Sequence, residues 1–101
     1  MKKVLTIPDA WQDTAALFIA LGDAHRQRIL LAFEVNERLS TLQIVAASTL
    51  SRTAVTHHLK ILQSSGALQS EKIGKEVFFR IDKTYVSHAL QLVLTYINTE
   101  T

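Results

Sequence analysis

Arg52, Thr53, Thr56, His57, Lys60 and Gln63 are all cations or hydrogen-bond donors, and their spacing puts them on one side of a helix. The other side carries Val55, Leu59 and Leu62, an apolar stripe that must face a core. No Asp or Glu occurs between Ser40 and Ser70, so nothing in that stretch repels a polyanion. The chemistry on offer is recognition of double-stranded DNA. Ser51, at the helix start, can cap the helix and meet a phosphate where free N–H groups and the helix dipole favour an anion. Thr53, Thr56 and His57 are short or planar groups able to reach base edges in a major groove, and Lys60, one turn on, suits the backbone. Lys72, Lys75 and Arg80 gather around Gly74, a second basic group fit to lie along a phosphate strand or minor groove.

Charge is distributed accordingly. The formal net charge is +2, and residues 51–80 alone hold five Lys or Arg against two Glu, so the positive excess is concentrated there. Other chemistries lack their groups. There is no Cys, which removes disulfides, thiolate metal sites and thiol redox switches together. His57 and His58 are adjacent and so point about 100° apart on a helix, a poor arrangement for chelating one ion. His58 lies nearer the apolar stripe, and a packed, hydrogen-bonded histidine and a phosphate contact are both open to it. His25 and His88 read as surface or capping residues. Asp9, Asp13 and Glu37 have no Ser or His constellation around them, so no enzyme activity, cofactor or metal is expected.

The elements that position these groups read as helix, helix, helix, helix, hairpin, helix: a mainly α chain with a β-hairpin wing. A first helix should start at Pro8-Asp9, with Trp11, Ala15 and Phe18 at i, i+4, i+7, and stop at Gly22. Asp23 should cap a second running to about Val35, with Ile29, Leu30 and Phe33 on its buried side. Ser40 or Thr41 caps a short third through Ala47, with Leu42, Ile44 and Val45 as its apolar contacts. The fourth spans 51–65 and ends before Gly66. Residues 68–73 and 76–81 flank Gly74-Lys75 as a hairpin, with Val77, Phe79 and Ile81 alternating on one face. From Lys83 onward Tyr85, Ala89, Leu92, Val93 and Tyr96 belong to a helix that is apolar around most of its circumference, which demands cover on two sides. Two short helices followed directly by a hairpin is the order of a winged helix-turn-helix.

Length and composition agree. With 101 residues, 48% hydrophobic and 20% charged, the chain suits one globular domain over 1–101, and three Gly with one Pro give little punctuation for a many-stranded fold. Met1-Lys2-Lys3 is followed by too few apolar residues before Pro8 for a signal peptide, and the early apolar run at 15–21 is far short of the ~20 residues that span a bilayer. The expected compartment is the cytoplasm, with no membrane partner.

Three segments resemble the ArsR/SmtB group of repressors. Leu21-Gly22-Asp23-Ala24-His25-Arg26-Gln27-Arg28-Ile29-Leu30 is similar to the opening signature of that group, and residues 50–62, with His58-Leu59 at its His-Leu pair, to its recognition helix. Gly74-Lys75-Glu76-Val77-Phe78-Phe79-Arg80-Ile81 is similar to its wing. The resemblance covers roughly 15–97. It implies a homodimer built from the first and last helices, with Trp11 and Phe18 joining the last-helix residues at the seam, and a ligand that modulates DNA binding. It also exposes departures. Where the group has Cys-x-Cys at the third helix, this chain has Ser40 and Leu42; where its last-helix site has four ligands, this chain has Asp82, Thr84, Thr95 and Asn98. The turn between third and fourth helices, often Gly in the group, holds Thr49. The residues specify no effector. Two rival readings remain, a winged-helix module that binds protein and a metal sensor with an unfamiliar His/carboxylate site.

Overall fold

Helical backbone begins at Asp9, as Pro8 leads one to expect, but it does not run unbroken. In the computed structural model, which describes residues 6–101, a 3-10 turn at Asp9–Trp11 is separated by Gln12 and Asp13 from helix α1, Thr14–Leu21. Met1-Lys2-Lys3, on which the signal-peptide reading rests, lies outside the described residues. The break changes which side of α1 is buried. Thr14, Leu17 and Ala20 turn inward, whereas Ala15 is exposed and Phe18 is 45% exposed.

Asp23 caps helix α2, Ala24–Leu31, its carboxylate accepting the backbone N–H of His25 (2.8 Å) and Arg26 (3.1 Å). The Arg26 N–H is the main cause that holds the Asp23 carboxyl below its ordinary pKa. The helix stops one turn earlier than the expected Val35. The Glu37 side chain accepts the Glu34 N–H at 3.0 Å, and Asn36 takes φ 57°, a left-handed conformation that Asn tolerates better than most residues. Ile29 is buried as expected, while Leu30 and Phe33 are only half-buried, Phe33 from the loop.

A two-residue strand β1, Leu39–Ser40, then pairs antiparallel with the later hairpin, which makes the sheet three-stranded. Two residues have no alternation to betray a strand. Ser40 also caps helix α3, Thr41–Ala47, through a capping box: Gln43 N–H donates to Ser40 Oγ (3.1 Å) and Ser40 N–H to Gln43 Oε1 (2.8 Å). Ile44 faces the core, and Leu42, about 200° away around the helix, is 53% exposed instead of packed. In the turn that follows, Leu50 N–H donates to Ser48 Oγ (3.0 Å). Asn36 is the only non-glycine residue at positive φ among the described residues, so Thr49 fits there without the conformation glycine would supply.

Helix α4, Arg52–Ser64, is capped by Ser51 Oγ, which accepts the Ala54 N–H (3.2 Å), and buries Val55, Leu59 and Leu62 as the stripe predicts. It ends in a Schellman motif, Ala67 N–H to Leu62 O and Gly66 N–H to Gln63 O, with Gly66 at φ 87°. Strands β2, Leu68–Ile73, and β3, Glu76–Ile81, form the hairpin in the expected register, Leu68 opposite Ile81 and Ile73 opposite Glu76, in a sheet ordered β1-β3-β2. Helix α5, Lys83–Glu100, starts from Asp82, whose carboxylate accepts the Tyr85 N–H. The core is one cluster drawn from α1, α2, α3, α4 and the sheet. Val86 and Ala89 of α5 pack against it from outside, and no residue of α5 is fully buried.

Candidate nucleic-acid interface

The two faces of α4 separate cleanly. Arg52, Thr53, Thr56, His57, Lys60 and Gln63 are exposed, opposite the buried stripe. Ser51 is exposed at the helix start, with its Oγ occupied by the cap. Gln63 is held at the far end, its Nε2 donating to Ser70 Oγ of β2 at 2.7 Å, which ties the helix to the wing. In the hairpin register Lys72 lies opposite Val77 and so shares a face with Ser70 and Phe79, on the side tied to Gln63. Lys75 stands at the exposed tip, where Gly74 takes φ 62°. Arg80 lies opposite Gln69, on the other face, so the strand's basic residues divide: Lys72 shares the α4 side and Arg80 does not. Glu71, also on that far face, pairs with Arg38 at 2.8 Å in an exposed bridge of little energetic weight.

His58 is set apart from this face. It is half-buried, with its Nδ1 3.2 Å from Arg26 Nη1. Arg26 is 9% exposed, and its guanidinium spans three elements. Nε donates to Ala20 O (2.8 Å) and Nη2 to Ile19 O (3.0 Å), carbonyls of the last turn of α1, while Nη1 reaches α4. A guanidinium only donates, so His58 Nδ1 accepts and the neutral ring carries its proton on Nε2. Burial is the main cause that pushes the His58 pKa below its ordinary value; Asp23 opposes it, and Arg26 adds to it. Arg26 lies within the Leu21–Leu30 segment, whose resemblance to the group gives it no role of its own. The available signal was an Arg placed where the carbonyls of one helix end must be satisfied at the start of the next.

The expected seam residues serve different purposes. Trp11 and Tyr96 meet edge to face, and Phe18 and Tyr96 present exposed surface. Leu92 and Val93 are half-buried. The Tyr85 ring lies over Gly66, where burial pushes its phenol pKa up, and Ala89 packs on the core, so both also serve the chain's own fold. Leu90, Leu94 and Ile97 are exposed on the same helix. The positions corresponding to the group's metal sites do not fit a metal: Ser40 Oγ is spent on a helix cap, Asp82 holds Tyr85 N–H and Gln69 Nε2, and Thr95 Oγ accepts Gln91 Nε2. Among the described residues no helix is long and apolar enough to cross a membrane.

A helix-turn-helix whose second helix turns only donors outward, joined to a hairpin with a basic tip, defines a winged helix-turn-helix protein. No family model matches the chain. It is 28% identical over 89 residues to a transcriptional repressor SmtB homolog of Synechocystis, covering 88% of this chain and 67% of that one. An ArsR-like transcriptional regulator from Rhodococcus sp. RHA1 superposes with TM-score 0.80 at 27% identity, covering 92% of this chain and 86% of that one. The homodimeric winged helix-turn-helix DNA-binding domain of a Mycobacterium bovis protein shares the fold, with TM-score 0.70, 20% identity and coverage of 96% and 93%. The chain is similar in sequence and in fold to transcriptional regulators of the SmtB and ArsR type. It spans about two thirds of the length of the first curated relatives it matches.

Proposed function

We propose that this chain is a repressor that binds an inverted-repeat operator in double-stranded DNA as a homodimer, as one domain, in the cytoplasm and without catalytic activity. The observation that carries this reading is the outward face of α4, where Arg52, Thr53, Thr56, His57 and Lys60 stand exposed with no carboxylate among them. Ser51 places the helix N-terminus and its dipole toward a phosphate, and Thr53, Thr56 and His57 read base edges. Lys60, Lys72 and Lys75 neutralise the backbone. His58 supports the helix from behind.

The homodimer rests on the uncovered apolar length of α5. A two-fold dimer sets two α4 helices about one DNA turn apart, ~34–36 Å, and calls for an inverted repeat. Repeated selection of a random duplex pool by the purified protein tests the reading. An enriched inverted repeat is the expected outcome, and a pool that stays unenriched at moderate salt would sink it.

A further inference from the structure

The apolar stripe of α4 fixes the depth of the helix in the fold but constrains its rotation and axial slide weakly, because Val55, Leu59 and Leu62 meet neighbours by non-directional contacts. One directional link to α2 is available. Arg26 is buried without a carboxylate partner. Its charge is met by the carbonyls of Ile19 and Ala20, where the α1 dipole is negative, and by the lone pair of His58. We propose that Arg26 and His58 form a positioning joint that sets the pose in which α4 reads base edges, and that the joint opens when His58 is protonated. This inference rests on the DNA-binding reading and names how that same interface is held and regulated.

The chemistry of opening follows from the donors present. Protonated His58 has an N–H at Nδ1 and faces a guanidinium that can only donate, so the hydrogen bond is replaced by two cations 3.2 Å apart. The groups around the ring are named by its neighbours. From α2 and its cap come Asp23, which favours the protonated ring, and Arg26 and His25, which oppose it; from α4 comes His57, 5.7 Å away ring to ring, which also opposes it. Helix α1 contributes no ionisable side chain. Opening leaves the apolar stripe and the Gln63–Ser70 tie to the wing in place, so the fold persists while the reading helix loses its directional link to α2.

The test uses the full-length protein, the duplex it enriches from a random pool, and a random duplex of the same length. The readout is the ratio of the two affinities, from which sequence-independent phosphate attraction largely cancels, and the pH dependence that remains in His58→Asn is that of groups other than His58. His58→Leu removes the acceptor and should cut the ratio about tenfold, the scale of one lost base contact, while affinity for random DNA stays nearly unchanged. His58→Asn retains an acceptor and cannot titrate. Its ratio should match wild type at about pH 7.5 and fall clearly less than the wild-type ratio between there and about pH 5.5. A His58→Leu ratio equal to wild type, a His58→Asn ratio as low as that of His58→Leu, or a wild-type ratio indifferent to pH would each overturn the joint. Failure to enrich any duplex would instead remove the DNA reading, and this inference with it.

Discussion

The rings of Trp11 and Tyr96 meet edge to face with centroids 5.4 Å apart and planes at 85°, so the 3-10 turn at Asp9–Trp11 is fastened to the far half of α5. The pair borders an apolar platform, including Leu94 and Ile97 at 52% exposure each, that is left uncovered among the described residues. A stable dimer is the expected result. Sedimentation equilibrium at micromolar concentration should return twice the 11.3 kDa chain mass. Leu94→Glu combined with Ile97→Glu should weaken the dimer by at least about tenfold, roughly 1.4 kcal/mol. A wild-type chain that sediments as a monomer rules this out.

Direct reading by α4 predicts a division of labour among its exposed residues. Thr53→Ala with His57→Ala should lose discrimination between the selected and random duplexes, at about 1–3 kcal/mol per lost base contact. Lys60→Ala and Lys75→Ala should weaken both duplexes alike, each flattening the slope of log affinity against log salt by about one unit. Full discrimination in the Thr53/His57 variant would show that the reading face has been misassigned.

Gly66 is irreplaceable for two reasons at once. It holds φ 87°, and a Cβ there would sit 2.6 Å from Tyr85 Cε1, whereas Gly74, at φ 62°, has open space around it. Gly66→Ala should therefore cost about 1–3 kcal/mol in urea unfolding, clearly more than Gly74→Ala. Equal losses for the two variants would mean that the Tyr85 ring yields freely.

Acid should destabilise the fold through His58. The folded-state pKa is depressed below the ordinary 6.5. The unfolded chain therefore binds more protons below that value, and stability that is complete above pH 6.5 declines as pH falls through the folded-state pKa. Urea midpoints measured across this window should drop for the wild type and drop less for His58→Asn. Identical pH profiles for the two proteins would place the titrating group elsewhere.

Zinc should not change DNA affinity through either of the group's two metal positions. The group's two metal positions here are hydroxyls, an apolar residue, an amide and one carboxylate, and Ser40, Asp82 and Thr95 are committed to hydrogen bonds within the fold. Titrating zinc into chelator-treated protein should change affinity for the selected duplex by less than about tenfold. A larger change that Asp82→Ala abolishes would reveal a surviving site on the last helix.

The sequence by itself determined whatever depends on local period and local chemistry. The stripe of Val55, Leu59 and Leu62 defined both faces of α4, Asp23, Ser40 and Ser51 marked helix starts, Gly66 marked an end, and Gly74-Lys75 set the hairpin register. Each of those signals is read within a few residues. Only the tertiary structure decided the rest, because it depends on what lies across the fold. Strand β1 exists because β3 offers it an edge, α2 ends early because Glu37 and Asn36 close a turn, and Phe18 and Leu42 face outward because Leu17 and Ile44 take the core positions beside them. The same holds for His58. Its type and place on the helix left phosphate contact and packing equally open, and only the arrival of Arg26 from 32 residues away, carrying donors and no acceptor, turns that ring toward the protein.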